Sequence, residues 1–522
     1  MRRLRVLVRE PIAEAGIDLL RERFDVDVDP KSDLVEVLGR YDGIVIRSET
    51  RLTADLIERA GRLKVIGRAG VGVDNVDVDA ATRHGIVVAN APDSTVVSAA
   101  EQTVGLLVAL ARNIPQAHAA LKQGRWERSR WSGVELAGKT LGVLGFGRIG
   151  QQVARRAIGL GMHVVGYDPF VGDDRFREAG AERAASAEAV LGAADFVTLH
   201  LPLSDETRGM INREAIASMR DGARLINAAR GALVDEDALA EAIRSGKLAG
   251  AALDVFSEEP YTGPLLELDN VVTTPHLAAS TDEAQDRAGV IIAEQVVAAL
   301  EGAPVTNAVN IPVVDAADLE VLGPFIPLAA KLGRLAVELA GGWPQRIVVA
   351  ANGPLSKHDT RLLTVAALNG VFQGRVDQVV NYVNAPLIAA ERGMHVAEER
   401  SSVSRDYMNL VEVRADDIAV SGTTIGPEPR LFLAGALGFG IDLELAPNLV
   451  FFRYDDVPGV IGRVGTMFGE AGVNIANMAV SRTKEGGKAL MAFAIDTPAP
   501  PELVERIHAE GFDDVRFISL GS

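Results

Sequence analysis

The sequence predicts an α/β protein: two successive parallel sheets, then a mixed α+β region, then a small ferredoxin-like unit. Three observations lead there. Short β-branched runs alternate with amphipathic stretches from Arg5 to Ala89, the rhythm restarts at Lys139 and runs straight into a glycine triplet, and the final segment reads strand, helix, two strands, helix, strand. With 522 residues and 48% hydrophobic content, the chain is too long for one core.

Residues 5–9, 26–28, 43–47, 64–67 and 86–89 read as strands of a parallel sheet covered on both faces. Residues 98–121 are apolar and nearly uncharged, which predicts one long helix that is either core or a subunit contact. The strand predicted over 140–144 ends at Gly145-Phe-Gly147-Arg148-Ile149-Gly150, with a helix expected over 151–160. In such a unit Gly145 permits the tight turn, Gly147 lets backbone approach a pyrophosphate, and Gly150 lets the helix pack closely with its positive end facing the phosphates. The next strand, 163–166, leads to Asp168, an acceptor placed for both ribose hydroxyls and hostile to a 2′-phosphate. NAD is therefore the expected cofactor. Further strands over 196–200, 224–227, 250–255 and 271–273 bring Arg230, Asp254, Glu259 and His276 to the carboxyl ends of a parallel sheet, where ligands bind.

Composition excludes several classes. A formal net charge of -18 opposes binding to phosphodiester backbones. Cysteine is absent, so no disulfide framework, thiolate nucleophile or thiolate metal site exists. No uncharged apolar run has membrane-spanning length, and the start leads into the strand-like Val6-Leu-Val8 rather than a secretion signal. A cytoplasmic protein with no nucleic-acid, membrane or metal partner is expected.

The polar residues at the strand ends suit oxidation of a 2-hydroxy acid. A guanidinium, Arg230, can grip a carboxylate and polarise the oxygen on C2. An imidazole, His276, can exchange the hydroxyl proton. A carboxylate on its other ring nitrogen stabilises the imidazolium and fixes the ring; Glu259 suits this better than Glu258. Asp254 is placed to accept from the nicotinamide carboxamide. In the first sheet, Ile46-Arg47-Ser48 and Gly67-Arg68-Ala-Gly70-Val71-Gly72-Val-Asp-Asn75 each end a strand with an arginine, and the second adds glycine backbone donors, together suggesting a more anionic substrate than lactate. The cluster Arg125, Arg128 and Arg130 with Trp126 and Trp131 suits either a neighbouring subunit's phosphate site or a solvated basic face.

Asn227-Ala-Ala-Arg-Gly-Ala-Leu-Val-Asp235, Leu253-Asp-Val-Phe-Ser-Glu-Glu-Pro260 and Thr274-Pro-His-Leu-Ala-Ala279 resemble the signatures of NAD-dependent D-2-hydroxyacid dehydrogenases over residues 1–308. The resemblance implies a catalytic set of Arg230, Glu259 and His276. It implies cofactor contacts at Gly145, Gly147, Arg148, Ile149, Gly150, Asp168, Ala228, Asp254 and Ala279, and substrate contacts at Arg47, Ser48, Arg68, Gly70, Val71, Gly72 and Arg230. It also implies a Rossmann-type nucleotide domain over 98–281 and a discontinuous, flavodoxin-like substrate domain over 1–97 and 282–308, with the active site in the cleft between them.

Beyond residue 308 a helical stretch (319–341) and short strands (346–350, 411–415, 418–423) suggest an α+β intervening domain over 309–446 with no catalytic constellation; Lys331, Arg334 and Arg361 are candidate anion contacts there. Residues 447–522, beginning Leu449-Val-Phe-Phe-Arg-Tyr454-Asp-Asp456-Val-Pro-Gly459 and continuing through Gly472-Val-Asn474, look like an ACT domain. The whole arrangement is similar to the long-form 3-phosphoglycerate dehydrogenases. That resemblance implies 3-phosphoglycerate as substrate in the phosphorylated route to L-serine. It also implies feedback by L-serine at Tyr454, Asp456 and Asn474, and a homo-oligomer, with the long apolar helix and the pairing module offering the two contacts that close a tetramer. The rival expectations are a hydroxypyruvate or glyoxylate reductase and a non-enzymatic NAD-sensing interaction protein.

Overall fold

The computed structural model describes residues 2–303, 305–312, 316–404, 406–484 and 487–521. Four sheets follow one another along the chain.

The first holds β1 (Arg5–Val8), β2 (Asp25–Val28), β3 (Gly43–Ile46), β4 (Val65–Arg68) and β5 (Val87–Ala89) in the order β2-β1-β3-β4-β5, all parallel. Its inner strands β1, β3 and β4 are apolar on both faces because helices cover both, whereas the edge strand β2 alternates Asp and Val. The helix Asp282–Glu301, far along the chain, returns to this sheet: Ala288, Ile292, Ala293 and Val296 pack with Val6, Val8, Val45 and Val65. Gly289 makes the return possible, since a methyl group there would strike the Ala13 backbone beside helix Glu14–Arg23.

The second sheet runs β12-β11-β10-β9-β6-β7-β8, from β6 (Thr140–Leu144), β7 (His163–Tyr167), β8 (Glu182–Arg183), β9 (Phe196–Leu199), β10 (Ala223–Asn227), β11 (Leu248–Leu253) and β12 (Val271–Thr273). Strand order reverses beside β6, the position at which a doubly wound sheet opens its ligand crevice. The single long helix expected over 98–121 is instead two, Val96–Arg112 and Ile114–Lys122, separated by Asn113 at φ 51°. Asn tolerates that left-handed cap, and Pro115 fits only in the first turn of a new helix. The nucleotide helix begins at Arg148, three residues before its expected start.

The third sheet, β14-β13-β15-β16-β17-β18, comprises β13 (Arg346–Asn352), β14 (His395–Ser401), β15 (Leu410–Ala415), β16 (Ile418–Ile425), β17 (Arg430–Ala436) and β18 (Phe439–Glu444). The expected helix 319–341 is broken at Gly323-Pro324 into Ala316–Leu322 and Phe325–Ala340. The fourth sheet, β20-β21-β19-β22, is antiparallel: β19 (Asn448–Asp455), β20 (Ile475–Arg482), β21 (Lys488–Ile495) and β22 (Val515–Ser519). Both of its faces are buried. Val450, Phe452 and Tyr454 pack beneath helices Val460–Glu470 and Pro501–Ala509, whereas Leu449 and Phe451 join the core of the third sheet with Val411 and Leu433.

Among the described residues no helix is long and apolar enough to cross a membrane, and no cluster of His, Asp or Glu is arranged to hold a metal.

Candidate active site

The site grows from the carboxyl ends of the second sheet. At the end of β10, buried Asn227 forms a side-chain-stabilised turn: its Oδ1 accepts from Ala229 N at 3.0 Å and its Nδ2 donates to Arg230 O at 2.9 Å. Gly231 follows because a methyl group there would overlap the Phe256 carbonyl, so only glycine lets the Arg230 turn lie against the loop that carries Glu259. At the end of β11, Asp254 is fully buried. Its carboxylate accepts from Thr274 Oγ1 at 2.5 Å, Leu277 N at 2.8 Å and Ala278 N at 2.8 Å, while His276 N donates to the Asp254 carbonyl at 2.8 Å. These bonds hold His276 at φ 55°, a left-handed conformation uncommon outside glycine. The Asp254 oxygens thus shape the turn under the imidazole.

The product of this scaffolding is a dyad. His276 Nδ1 lies 2.9 Å from Glu259 Oε2, and Glu259 Oε1 accepts from Phe256 N at 3.1 Å, which fixes the carboxylate and leaves the other imidazole nitrogen for substrate. Both residues line a cavity of about 470 Å³. Its opposite wall comes from the first sheet and includes Arg47, Ser48, Arg68 and Gly70, and Ala279 lies on the rim. Arg230 reaches across toward that wall, its Nε 3.2 Å from the Asp74 carboxylate. Gly72 makes room for the crossing, since a methyl group there would overlap the guanidinium. Burial, aided by the positive charge of Arg230, pulls the Arg68 guanidinium down from its usual value, against the opposing carboxylates of Asp74 and Glu10. Val71 contributes its carbonyl to Asn90 Nδ2 at 2.6 Å rather than a face to the cavity.

The nucleotide subsite meets the requirements of a dinucleotide. Gly145 has φ 90°, a methyl on Gly150 would strike the Gly145 carbonyl, and the space beside Gly147 is open. Asp168 ends β7 with each carboxylate oxygen taking one backbone N–H, from Phe146 and Phe170 at 2.9 Å, which leaves lone pairs for ribose hydroxyls. A second cavity of about 600 Å³ is lined by Gly147, Arg148, Gln151 and Phe170. Ile149 and Ala228 pack against the core below it. Arg148 is paired with Asp93, which tethers the helix start to the connection between the two lobes. Arg287 adds a second tether, donating from Nε and Nη2 to Ser94 O at 3.1 and 2.9 Å.

Other sequence candidates are spread or engaged. Arg130 pairs with Asp269 and stacks its guanidinium on Trp131, and Arg125 pairs with Glu127. Arg334 pairs with Glu338 and Arg361 with Asp359. In the fourth sheet the Tyr454 ring lies in the core instead of on the surface, because strand alternation puts it on the same face as Phe452; burial and the nearby Asp456 carboxylate push its phenol up from the usual value. Asp456 meets Arg482 at 3.3 Å, and Asn474 Nδ2 donates to Asp496 at 2.7 Å. Sequence reasoning gave no role to Glu10, and it included Asp74 and Asn75 only as the end of the glycine segment that follows β4.

Three family models match the chain. They are the NAD binding domain of D-isomer specific 2-hydroxyacid dehydrogenases over residues 104–278, the D-3-phosphoglycerate dehydrogenase intervening domain over 321–432, and the ACT domain over 448–512. Among curated relatives, the D-3-phosphoglycerate dehydrogenase of Archaeoglobus fulgidus is 42% identical, covering 99% of this chain and 100% of its own. That of Methanocaldococcus jannaschii is 43% identical with the same coverage, and that of Bacillus subtilis is 39% identical over 96% of this chain and 97% of its own. Among solved structures, the D-lactate dehydrogenase of Aquifex aeolicus complexed with NAD and lactic acid is 30% identical with a TM-score of 0.53, covering 59% of this chain and 99% of its own.

Proposed function

The chain belongs to the D-3-phosphoglycerate dehydrogenase family, and we propose on that basis that its interlobe cleft oxidises 3-phospho-D-glycerate to 3-phosphohydroxypyruvate with Arg230, Glu259 and His276 as the catalytic residues. NAD, held by Gly145 to Gly150 and Asp168, supplies the hydride acceptor. The incoming carboxylate displaces Asp74 as the partner of Arg230, whose fork also steadies charge on the C2 oxygen. His276 takes the C2 hydroxyl proton on the nitrogen opposite Glu259, and the imidazolium so formed is stabilised by that carboxylate. Arg47, Ser48, Arg68 and the backbone of Gly70 to Gly72 bind the phosphate.

The observation that carries this reading is the His276–Glu259 pair facing two arginines across one cavity. A 2-hydroxy acid with a second anionic group matches that charge distribution, whereas glycolate or glycerate leaves Arg47 or Arg68 without a partner. A steady-state panel with phosphorylated and unphosphorylated acids, each with NAD and NADP, tests it. The expected result is highest kcat/KM for 3-phosphoglycerate with NAD. Preference for glyoxylate or hydroxypyruvate, or no nucleotide reduction at all, refutes it.

Feedback by L-serine belongs to the same reading. Asp456 and Asn474 are the accessible polar groups for an α-amine and α-carboxylate beside the edge of the fourth sheet, with Tyr454 behind them. A tetramer is supported by exposed Val97, Ile114, Leu121 and Trp126 on the paired helices and the loop after them, and by β22 as an edge strand of the fourth sheet.

A further inference from the structure

The geometry points to a positioning residue beneath the substrate-binding loop. We propose that Glu10, acting with Asn75, holds loop 47–50 in the shape that presents Arg47 and Ser48 to the anionic substrate, and so sets its affinity. The inference rests on the reading that this loop binds the phosphate of 3-phosphoglycerate.

Glu10 follows β1 and is 7% exposed. Its Oε1 accepts from Arg47 N and Thr50 N, both at 2.9 Å, and its Oε2 accepts from Glu49 N at 3.1 Å. Asn75 works on the same loop from the other side: its Nδ2 donates to Arg47 O at 2.7 Å and Thr50 O at 2.6 Å, and its own carbonyl accepts from Leu52 N at 2.8 Å. Three of the four N–H groups from 47 to 50 are thus consumed, together with two carbonyls. The N–H left over is that of Ser48, which has no acceptor among the described residues and lines the cavity. A loop that engages three of its four N–H groups internally and leaves the fourth at the cavity has been set for an anion.

The charge matters as much as the geometry. Burial alone would push the Glu10 carboxyl up, yet the Thr50 side chain and the three backbone donors hold it below the usual carboxylate range. It stays anionic and offsets the repulsion among Arg47, Arg68 and Arg230, a group of cations that must remain close before substrate arrives. Gln at this position keeps the length but turns a donor toward a backbone N–H.

The test compares full-length parent, Glu10→Gln, Asn75→Ala and the double variant in initial-rate assays, with NADH binding followed by fluorescence. Each single variant should raise KM for 3-phosphoglycerate about 10-fold, the scale of one charge-assisted hydrogen bond lost with Glu10 or two neutral ones lost with Asn75, with kcat within about 3-fold and NADH affinity unchanged. The double variant should fall short of the product of the two effects, because both act on one loop. Unchanged KM in either folded variant overturns the inference, as does a loss of kcat or NADH affinity without a KM effect. If Glu10→Gln does not accumulate, Asn75→Ala decides alone. An active parent with unaltered variants removes only this inference, whereas an inactive parent removes the substrate assignment with it.

Discussion

Asp254→Asn separates two accounts of a fully buried carboxylate. Asp254 Oδ1 takes Thr274 Oγ1 and Leu277 N, and Oδ2 takes Ala278 N. An amide can satisfy only one side, and its NH2 then opposes a donor. Loss of one hydrogen bond to a buried charge costs about 1.5–3 kcal/mol. That energy is concentrated in the turn that keeps His276 at φ 55° and 2.9 Å from Glu259. A shift of the imidazole by a fraction of an ångström removes it from line with the C2 hydroxyl, so kcat should fall about 10- to 100-fold. KM for NAD should stay within about 3-fold if the carboxylate serves the turn alone. In a His276→Ala background Asp254→Asn should have little further effect, since the group it positions is gone. Steady-state kinetics on the four proteins of this cycle supply the numbers. A large rise in KM for NAD with kcat preserved, or an undiminished effect without His276, would refute the reasoning and return Asp254 to the nicotinamide.

Two further expectations concern pH and feedback. His200 follows β9 and is half-buried, and desolvation of its ring pushes the imidazole down from 6.5 to about 4. The unfolded chain therefore binds a proton below about 6.5 that the folded chain refuses until about 4, so stability is lost as pH falls through that window, by about 3 kcal/mol in all. His200→Asn should flatten the denaturant midpoint between those limits, and an unchanged slope would show that another group dominates. Asn474→Ala should abolish inhibition by L-serine with kcat and KM of the parent, measured by titrating serine into the forward assay; parental sensitivity would place the effector elsewhere.

The catalytic half of the molecule was legible because its local chemistry and its topology agree. A strand that runs into Gly145, Gly147 and Gly150 and is followed by an acid at the next strand end has one economical reading, and parallel topology then brings the loops that carry Glu259 and His276 to the same end of the sheet, where the two side chains pair. What stayed hidden lies in tertiary space. Glu10 looks like a surface acid before a proline, and only the approach of loop 47–50 makes it a buried anchor. The engagement of Asp254 in the turn under His276 depends on three backbone and side-chain donors more than twenty residues downstream of β11's start. The break at Asn113 was available in the sequence through Pro115, but apolar periodicity outweighed it. Tyr454 shows a similar competition. The run Leu449-Val-Phe-Phe signals a strand buried on both faces, which already commits the position two residues after Phe452 to the helix-covered side.

The central claim is that Arg230 and His276 act on one carbon. Single-turnover transfer of deuterium from C2-deuterated 3-phospho-D-glycerate to NAD, in the parent and in Arg230→Ala, tests it most directly. The label should appear in the reduced nucleotide, and the variant should transfer it about 100-fold more slowly, the scale of removing one oxyanion donor. Transfer by Arg230→Ala at the parental rate, or reduced nucleotide without the label, would contradict the account.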